Sequence, residues 1–393
     1  MLKRQFIQSV LGFVFLVISS FALSNTEFTY NVIDGGIEVT GCANGCPSDL
    51  VIPEEIDGNS VVSIGRDALK QKSLNTVQLP QTLTSIKPHA FQNNYLTNVV
   101  IPDGVTIIEH NVFSFNKLSS LVIPDSVTVI EDEAFRDNLL SNVVMPDGIT
   151  SIGYAAFAAN LLTDVTIPDG VTIIENNTFS FNKLSSLVIP GSITTIEYDA
   201  FRDNRLNNIV IPDGVTSIGH HAFHNNLLTD VTIPDGVTVI EDYTFGYNML
   251  SSMVIPDSVK VIAHDAFRNN YLNSLMFHGE PSLIHNRAFY ENPITTVSYC
   301  QNTSGEWDSI VIEGITPQLD ENCDNSNDSE QPSQYSVFDI DQSGSVDALS
   351  DGLILLRYIF GLRGDALINN VISPDANRTS AADIEAHIES HMP

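Results

Sequence analysis

Oxygen donors at alternate positions mark one stretch near the C-terminus, "FDIDQSGSVDALSDG". Asp339, Asp341 and Ser343 offer side-chain oxygens on every second residue, and Gly344 permits the tight turn between them. Ser345 offers its backbone carbonyl, and Asp347 follows at the ninth position. A loop of this spacing wraps a hard divalent cation, and calcium is the ion it implies. The twelfth position, where a closing acid is expected, is Ser350; the acid comes one residue later as Asp351. A second run, "SPDANRTSAADIEAHIESHM", keeps Asp375, Asn377, Thr379 and Asp383 without the loop glycine, so it is a weaker candidate. The plain alternative for both is an acidic turn that caps the following helix without a metal.

Other reactive side chains are dispersed. No nucleophile elbow, zinc-protease helix, phosphate loop or dinucleotide fingerprint occurs, so a non-enzymatic protein is expected. His220, His221 and His224 form the densest histidine cluster, "HHAFHNN", and read as a solvated turn rather than a metal site. Trp307, the single tryptophan, is expected to pack rather than to bind. The four cysteines fall in two separated pairs, Cys42 with Cys46 and Cys300 with Cys323. Disulfides are the default in an exported chain, with metal ligation or free thiols as the alternatives.

Export is what the N-terminus implies. Lys3 and Arg4 open a short basic segment, an apolar run spans Phe13 to Ile18, and Ala22 and Ser24 supply small residues at cleavage spacing. Residues 1–24 are therefore read as a signal peptide, and the rest contains no second long apolar stretch, so no membrane span is expected in the mature chain. The formal net charge is −31. Nucleic acid is excluded as a partner, because no basic stripe is present to displace counterions from phosphates. Such a charge suits a saline medium, divalent cations or a cationic partner.

The elements that position these residues come from a repeat. From Leu74 to Pro293 the chain repeats every 22 residues without insertion, giving ten copies of L-x-x-V-x-I-P-D-G-V-T-x-I-E-x-x-A-F-x-x-N-x. Isoleucine at the thirteenth position, Phe at the eighteenth and Asn at the twenty-first are unbroken. Six inward apolar side chains per copy contribute on the order of 9–18 kcal/mol. Fixing 22 backbones costs roughly 22–44 kcal/mol, so one copy cannot fold alone. Stacked copies share their apolar faces and pair as parallel strands. L-x-x-V-x-I is expected to be the main strand of each coil and V-T-x-I a weaker second one. Pro at position 7 ends the first strand, and Asp-Gly or Asp-Ser turns the corner. The invariant Asn, with donor and acceptor together, is expected to pair with backbone of neighbouring coils at a buried corner.

Two outward surfaces follow. Asp103, Asp125, Asp147, Asp169, Asp213, Asp235 and Asp257 form an acidic row, read as turn chemistry in preference to a cation strip. Positions 2 and 3 form a polar face, the candidate ligand surface: Thr97, Asn98, Ser119, Ser120, Ser141, Asn142, Thr163, Asp164, Ser185, Ser186, Asn207, Asn208, Thr229 and Asp230. A threonine column from Thr84 to Thr238 runs along the second strand and is weak evidence for an ice- or glycan-binding face.

The repeat resembles the leucine-rich repeats of the BspA-like, treponemal type, and "TGCANGCPSDLVIPEEIDGNSVVSIGRDAL" looks like that family's leading segment, with Cys42 and Cys46 clipping the first edge. The resemblance implies a mainly β leucine-rich-repeat solenoid of about ten coils with parallel sheets. The region 335–393 is similar to a dockerin-type module, in which an EF-hand-type calcium loop feeds a helix; cohesin binding is implied by that family alone. The expected domains are 1–24 signal peptide, 25–73 N-terminal cap, 74–300 solenoid, 301–334 acidic linker and C-terminal cap, and 335–393 a small helical calcium-loop module. The function these resemblances imply is a secreted or cell-surface adhesion protein that binds a protein or glycan. The alternative is a scaffold component of a polysaccharide-associated assembly, recruited to a cohesin-like partner.

Overall fold

A computed structural model of the chain describes residues 27–300, 307, 310–320, 323, 380–382, 384 and 388. The chain divides into two units, Met1–Cys323 and Asp324–Pro393. The signal-peptide segment lies outside the described residues, and so do all ten candidate calcium ligands, from Asp339 to Asp383. Of the second unit, Ala381, Ala382, Ile384 and Ile388 are helical, and the Ile384 N–H donates to the Ser380 carbonyl at 3.1 Å.

The first unit is a stack of coils, each with three sides, and among its described residues no α-helix occurs. The main-strand side runs through positions 2 to 6. Its side chains alternate as expected of a strand: Val99 and Ile101 are buried while Asn98 and Val100 are exposed. Regular parallel pairing on this side is confined to Asp49–Val51 with Thr76–Gln78, Ser120–Val122 with Asn142–Val144, and Ser252–Ile255 with Ser274–Phe277 and its followers. Elsewhere it reduces to the single bridge Thr166 to Val188. The short V-T-x-I side, expected to be the weaker, is the more regular: its two-residue strands recur from Ser85–Ile86 to Leu283–Ile284 in each of the ten coils. The reversal has a local cause. Proline at position 7 has no N–H and stops the first ladder after a few residues, whereas position 11 is reinforced by its threonine. The Thr128, Thr150, Thr194 and Thr216 hydroxyls each donate to the position-11 carbonyl of the preceding coil at 3.3–3.5 Å.

The third side, positions 14 to 20, carries an unexpected ladder. The N–H groups of positions 16, 18 and 20 donate to carbonyls of the next coil, as in His89 to His110, Phe91 to Val112 and Asn93 to Ser114, at 2.9–3.0 Å. Positions 16 and 20 adopt left-handed backbone to do so, in residues as unsuited to it as Glu133 (φ 55°), Phe115 (φ 56°) and Tyr243 (φ 56°). Left-handed backbone costs such residues roughly 1–2 kcal/mol each, which the ladder bonds offset.

Two internal columns hold the coils together. The ten phenylalanines from Phe91 to Phe289 are fully buried and stack ring on ring, with centroids 5.3–5.8 Å apart and planes within 15°. The asparagine column behaves as its chemistry requires. In Asn182, Oδ1 accepts from the Leu162 N–H at 3.0 Å, while Nδ2 donates to the Phe179 carbonyl at 3.1 Å and to Phe157 of the preceding coil at 3.0 Å. At position 9 the chain alternates between two solutions. A Cβ on Gly104 or Gly170 would meet the position-10 carbonyl of the previous coil at 2.5 or 2.6 Å. Where serine stands instead, Ser126 and Ser192 turn the hydroxyl onto that same carbonyl at 2.7 Å.

Both ends are closed. At the first, Phe28–Ile33 pairs antiparallel with Gly36–Cys42, which then runs parallel to Asn59–Ile64. The Cys42–Cys46 disulfide, with Cα atoms 5.3 Å apart, fastens this cap. At the last, Thr296–Cys300 is followed in the sheet by Gln318–Asp320, and Cys300 is bonded to Cys323. The segment "QLDENCDNSNDSEQPSQ", read from composition as linker, thus begins as a strand: the open sheet edge supplies partners that composition does not record. Trp307 packs as expected, 1% exposed, against Tyr299 and Phe277 with centroids 5.1 and 5.0 Å away.

Candidate functional site: the strand face

All fourteen polar residues singled out at positions 2 and 3 are exposed, on one side of successive coils. They are not equivalent. At position 2 the hydroxyls of Ser141, Ser185 and Thr229 point along the stack and donate to the carbonyl of the preceding coil's position 2 at 3.3–3.4 Å. Position 3 carries Asn98, Ser120, Asn142, Asp164, Ser186, Asn208 and Asp230 outward beside it. The face therefore offers a column of amide, hydroxyl and carboxylate groups on a backbone that its neighbours hold rigid.

Sequence reasoning missed the second half of this face. Position 5 is outward too, and its valines lie bare: Val188 is 72% exposed, Val122 68% and Val100 66%, with Val144, Val210 and Val254 in the same column. The strand alternation of buried 4, exposed 5 and buried 6 was the available signal. The face is thus amphipathic, with a polar column at 3 and a methyl-bearing column at 5. Thr166 and Thr232 interrupt the valines but are exposed and carry a methyl group too, so the methyl-bearing row runs from Val100 to Val254.

Its electrostatics are one-sided. Between residues 74 and 293, Lys260 is the only lysine or arginine at repeat positions 1 to 12, while the aspartate row, Asp164, Asp230 and Glu280 are acidic. The remaining cations lie on the turn side and are largely committed there. Arg136 binds Glu133 and Asp137 at 3.0 Å, Arg202 binds Asp203 at 3.0 Å, and Arg268 binds Glu291 at 3.1 Å. The aspartate row itself is exposed at the corner after proline, where the turn-chemistry reading placed it.

The histidine cluster is not the solvated turn expected. His220 is exposed between Glu241 and Asp242, but His221 and His224 are half-buried among rings. His221 stacks on Tyr243 at 5.0 Å, and His224 packs on Tyr247 at 5.0 Å. Burial, with Arg202 and His221 adding like charge, pushes His224 down to about 4; burial also lowers His221. Positions 16 and 19 lie over the left-handed turn, which brings these rings inward, and nothing in their letters announces it. Desolvation likewise raises Asp199, although Arg202 lies 3.5 Å away.

No helix among the described residues is long and apolar enough to cross a membrane. A search of curated proteins found no match. Among solved structures, a leucine-rich repeat protein from Bacteroides ovatus ATCC 8483 superposes with a TM-score of 0.52 at 22% identity, covering 76% of each chain. The pneumococcal vaccine antigen PcpA superposes with a TM-score of 0.50 at 16% identity, covering 77% of this chain and 94% of its own. At such identities the likeness is one of fold. The BspA type leucine-rich repeat region matches six copies over residues 62–185 and 172–296. With that match spanning more than half of the sequence, and coils in which the inward Leu, Ile, Phe and Asn at positions 1, 13, 18 and 21 are unbroken, the chain belongs to the BspA-type leucine-rich repeat family.

Proposed function

We propose that this is a secreted or cell-surface, non-enzymatic binding protein of the adhesion type, which holds a protein or glycan ligand against its strand face. The observation that carries the reading is the paired column of exposed polar and valine side chains, unbroken by any cation from Asn98 to Val254. A rigid solenoid face suits an extended ligand because its coils present the same chemistry at a fixed interval of about 4.8 Å. Leucine-rich repeat proteins in general bind other proteins, and surface display is usual for the BspA type; both support the reading by analogy. An array of glycans and surface proteins probed with the full chain tests it. Saturable binding that is lost on placing charges in the valine column supports the reading, and clear substrate turnover abolished by a point mutation overturns it.

The spacing of Asp339, Asp341, Ser343, Ser345, Asp347 and Asp351 favours a calcium-stabilised C-terminal module, with Asp375, Asn377, Thr379 and Asp383 as a second loop. Its dockerin-like pattern also supports a second reading, recruitment to a cohesin-like partner in a polysaccharide-associated assembly. Calcium titration should raise helicity or melting temperature in the wild type and less so in Asp339→Ala; no response in either removes the metal. Calcium-dependent capture of a purified cohesin separates the recruitment reading from adhesion alone.

A further inference from the structure

Two metal-binding side chains stand where the repeat otherwise places proline. Position 7 is proline in nine coils, from Pro80 to Pro256. In the tenth it is His278, and 22 residues later the same place in the next strand is Cys300. The register makes this a spatial fact. Phe277 lies beside Tyr299, so His278 follows at the corner beside Cys300, and Cys300 in turn lies beside Asp320 of the last strand. Three residues further on is Cys323. One imidazole nitrogen and the two sulfurs all lie within 4.8 Å of one another. Cys300 is fully buried, and His278 and Cys323 are half-buried.

We propose that His278, Cys300 and Cys323 form a redox-gated site for a soft metal cation of the zinc class. Oxidised, the two sulfurs are the disulfide that ties the last described strand to the solenoid. An external dithiol opens it, giving up two electrons and two protons and becoming a disulfide itself, and leaves two thiols on Cys300 and Cys323. Zinc then displaces both thiol protons to solvent and takes two thiolates and the neutral imidazole as ligands. Tetrahedral Zn–S and Zn–N bonds of about 2.3 and 2.0 Å place donor atoms roughly 3.5–3.8 Å apart; the imidazole nitrogen lies within 4.8 Å of both sulfurs, and the sulfurs, once their bond is opened, part by just under about 2 Å to reach that spacing. Two sulfurs and a nitrogen are the donor set that selects this class of ion over calcium or magnesium. The fourth position is left to water. Covalent bond and bound ion thus serve the same mechanical end, closing the sheet edge in either redox state.

The test uses the full chain, reduced with a phosphine, desalted without oxygen and titrated with Co2+ and then Zn2+. One equivalent of cobalt should produce thiolate-to-metal charge-transfer absorption, displaced by zinc. The signal should persist in the Cys42→Ser/Cys46→Ser variant, vanish in Cys300→Ser and require at least tenfold more cobalt in His278→Ala. That last variant touches a half-exposed corner and keeps the disulfide for folding, so it remains informative if Cys300→Ser does not fold. Zinc should also move the urea midpoint of the reduced chain, followed by Trp307 fluorescence, back toward the oxidised value. Absence of the charge-transfer band, equal cobalt affinity in His278→Ala, or an unmoved midpoint overturns the proposal.

Discussion

Replacing Asn182 by alanine removes one side chain from the middle of the array and, with it, four hydrogen bonds to buried backbone. The Leu162 N–H loses its acceptor at 3.0 Å, and the Phe157 and Phe179 carbonyls lose donors at 3.0 and 3.1 Å. A third carbonyl, Ser180, loses a longer contact at 3.2 Å. The Phe157 and Phe179 carbonyls keep Asn160 and Asn204 as donors at 3.1 and 2.9 Å, and Ser180 keeps the Ala159 N–H at 3.0 Å, so only the Leu162 N–H is left unsatisfied. One unsatisfied buried donor costs about 1–3 kcal/mol and each further lost bond about 0.5–1.5, with water at the vacated corner recovering part, so the expected loss is about 2–4 kcal/mol. Because Asn182 joins coils rather than elements within one coil, the loss falls on a nearest-neighbour interface. Urea unfolding followed by far-ultraviolet circular dichroism should therefore show a lowered midpoint, with the halves on either side beginning to separate. Asn182→Asp should be worse at neutral pH, since it keeps the acceptor but turns a carboxylate oxygen toward two carbonyls. Asn208→Ala, exposed on the strand face, is the control and should change stability by under about 0.5 kcal/mol. A loss in Asn182→Ala no larger than that of Asn208→Ala would refute the claim that the asparagine column holds the stack.

Other consequences are as direct. Phe179→Ala opens a cavity between two stacked rings and should cost about 3–5 kcal/mol, while Phe179→Leu should cost clearly less; equal losses would show that the ring column is not a packing element. Stability should fall with acid because His224, held at about 4, refuses a proton that the unfolded chain accepts at about 6.5. Stability is therefore whole above pH about 6.5 and declines as pH falls toward about 4, by about 1–2 kcal/mol once the ring's partial exposure is discounted. The decline should shrink in His224→Gln, measured as the difference in urea midpoint between pH 7 and pH 4.5; an unchanged decline contradicts the assignment.

Much of this fold can be read from letters alone, because a repeat tests every inward position ten times. Ile at 13, Phe at 18 and Asn at 21 are unbroken for the reason seen in the stack: Ile pairs with and Phe stacks on its own copy in the next coil, and Asn bonds the Leu and Phe backbone of the coil before, so a change at one level is felt at two. The outward positions were less legible. Valine at 5 is ambiguous in a sequence, since a β-branched residue suits a strand on either face, and only the pleat decides. The left-handed turns at 16 and 20 were hidden because Glu133, Phe115 and Tyr243 have none of the usual glycine or asparagine signature. There the ladder between coils imposes the backbone and the side chain follows, which is also why His221 and His224 ended up among rings. Gln318–Asp320 was hidden for a similar reason, as it borrows its strand character from the edge it joins.

The strand face is the centre of this account, and one affinity comparison tests it. Val122→Asp/Val188→Asp places two carboxylates in the bare valine column, where both side chains point to solvent and folding should be unaffected. Against a ligand identified on the array, surface plasmon resonance should show at least a tenfold weaker Kd for this variant with an unchanged melting temperature. A matched change on the turn side, Leu227→Asp, should leave affinity as it was. Equal affinity of the valine-column variant and the wild type, with both folded, would contradict the assignment of this face as the binding surface.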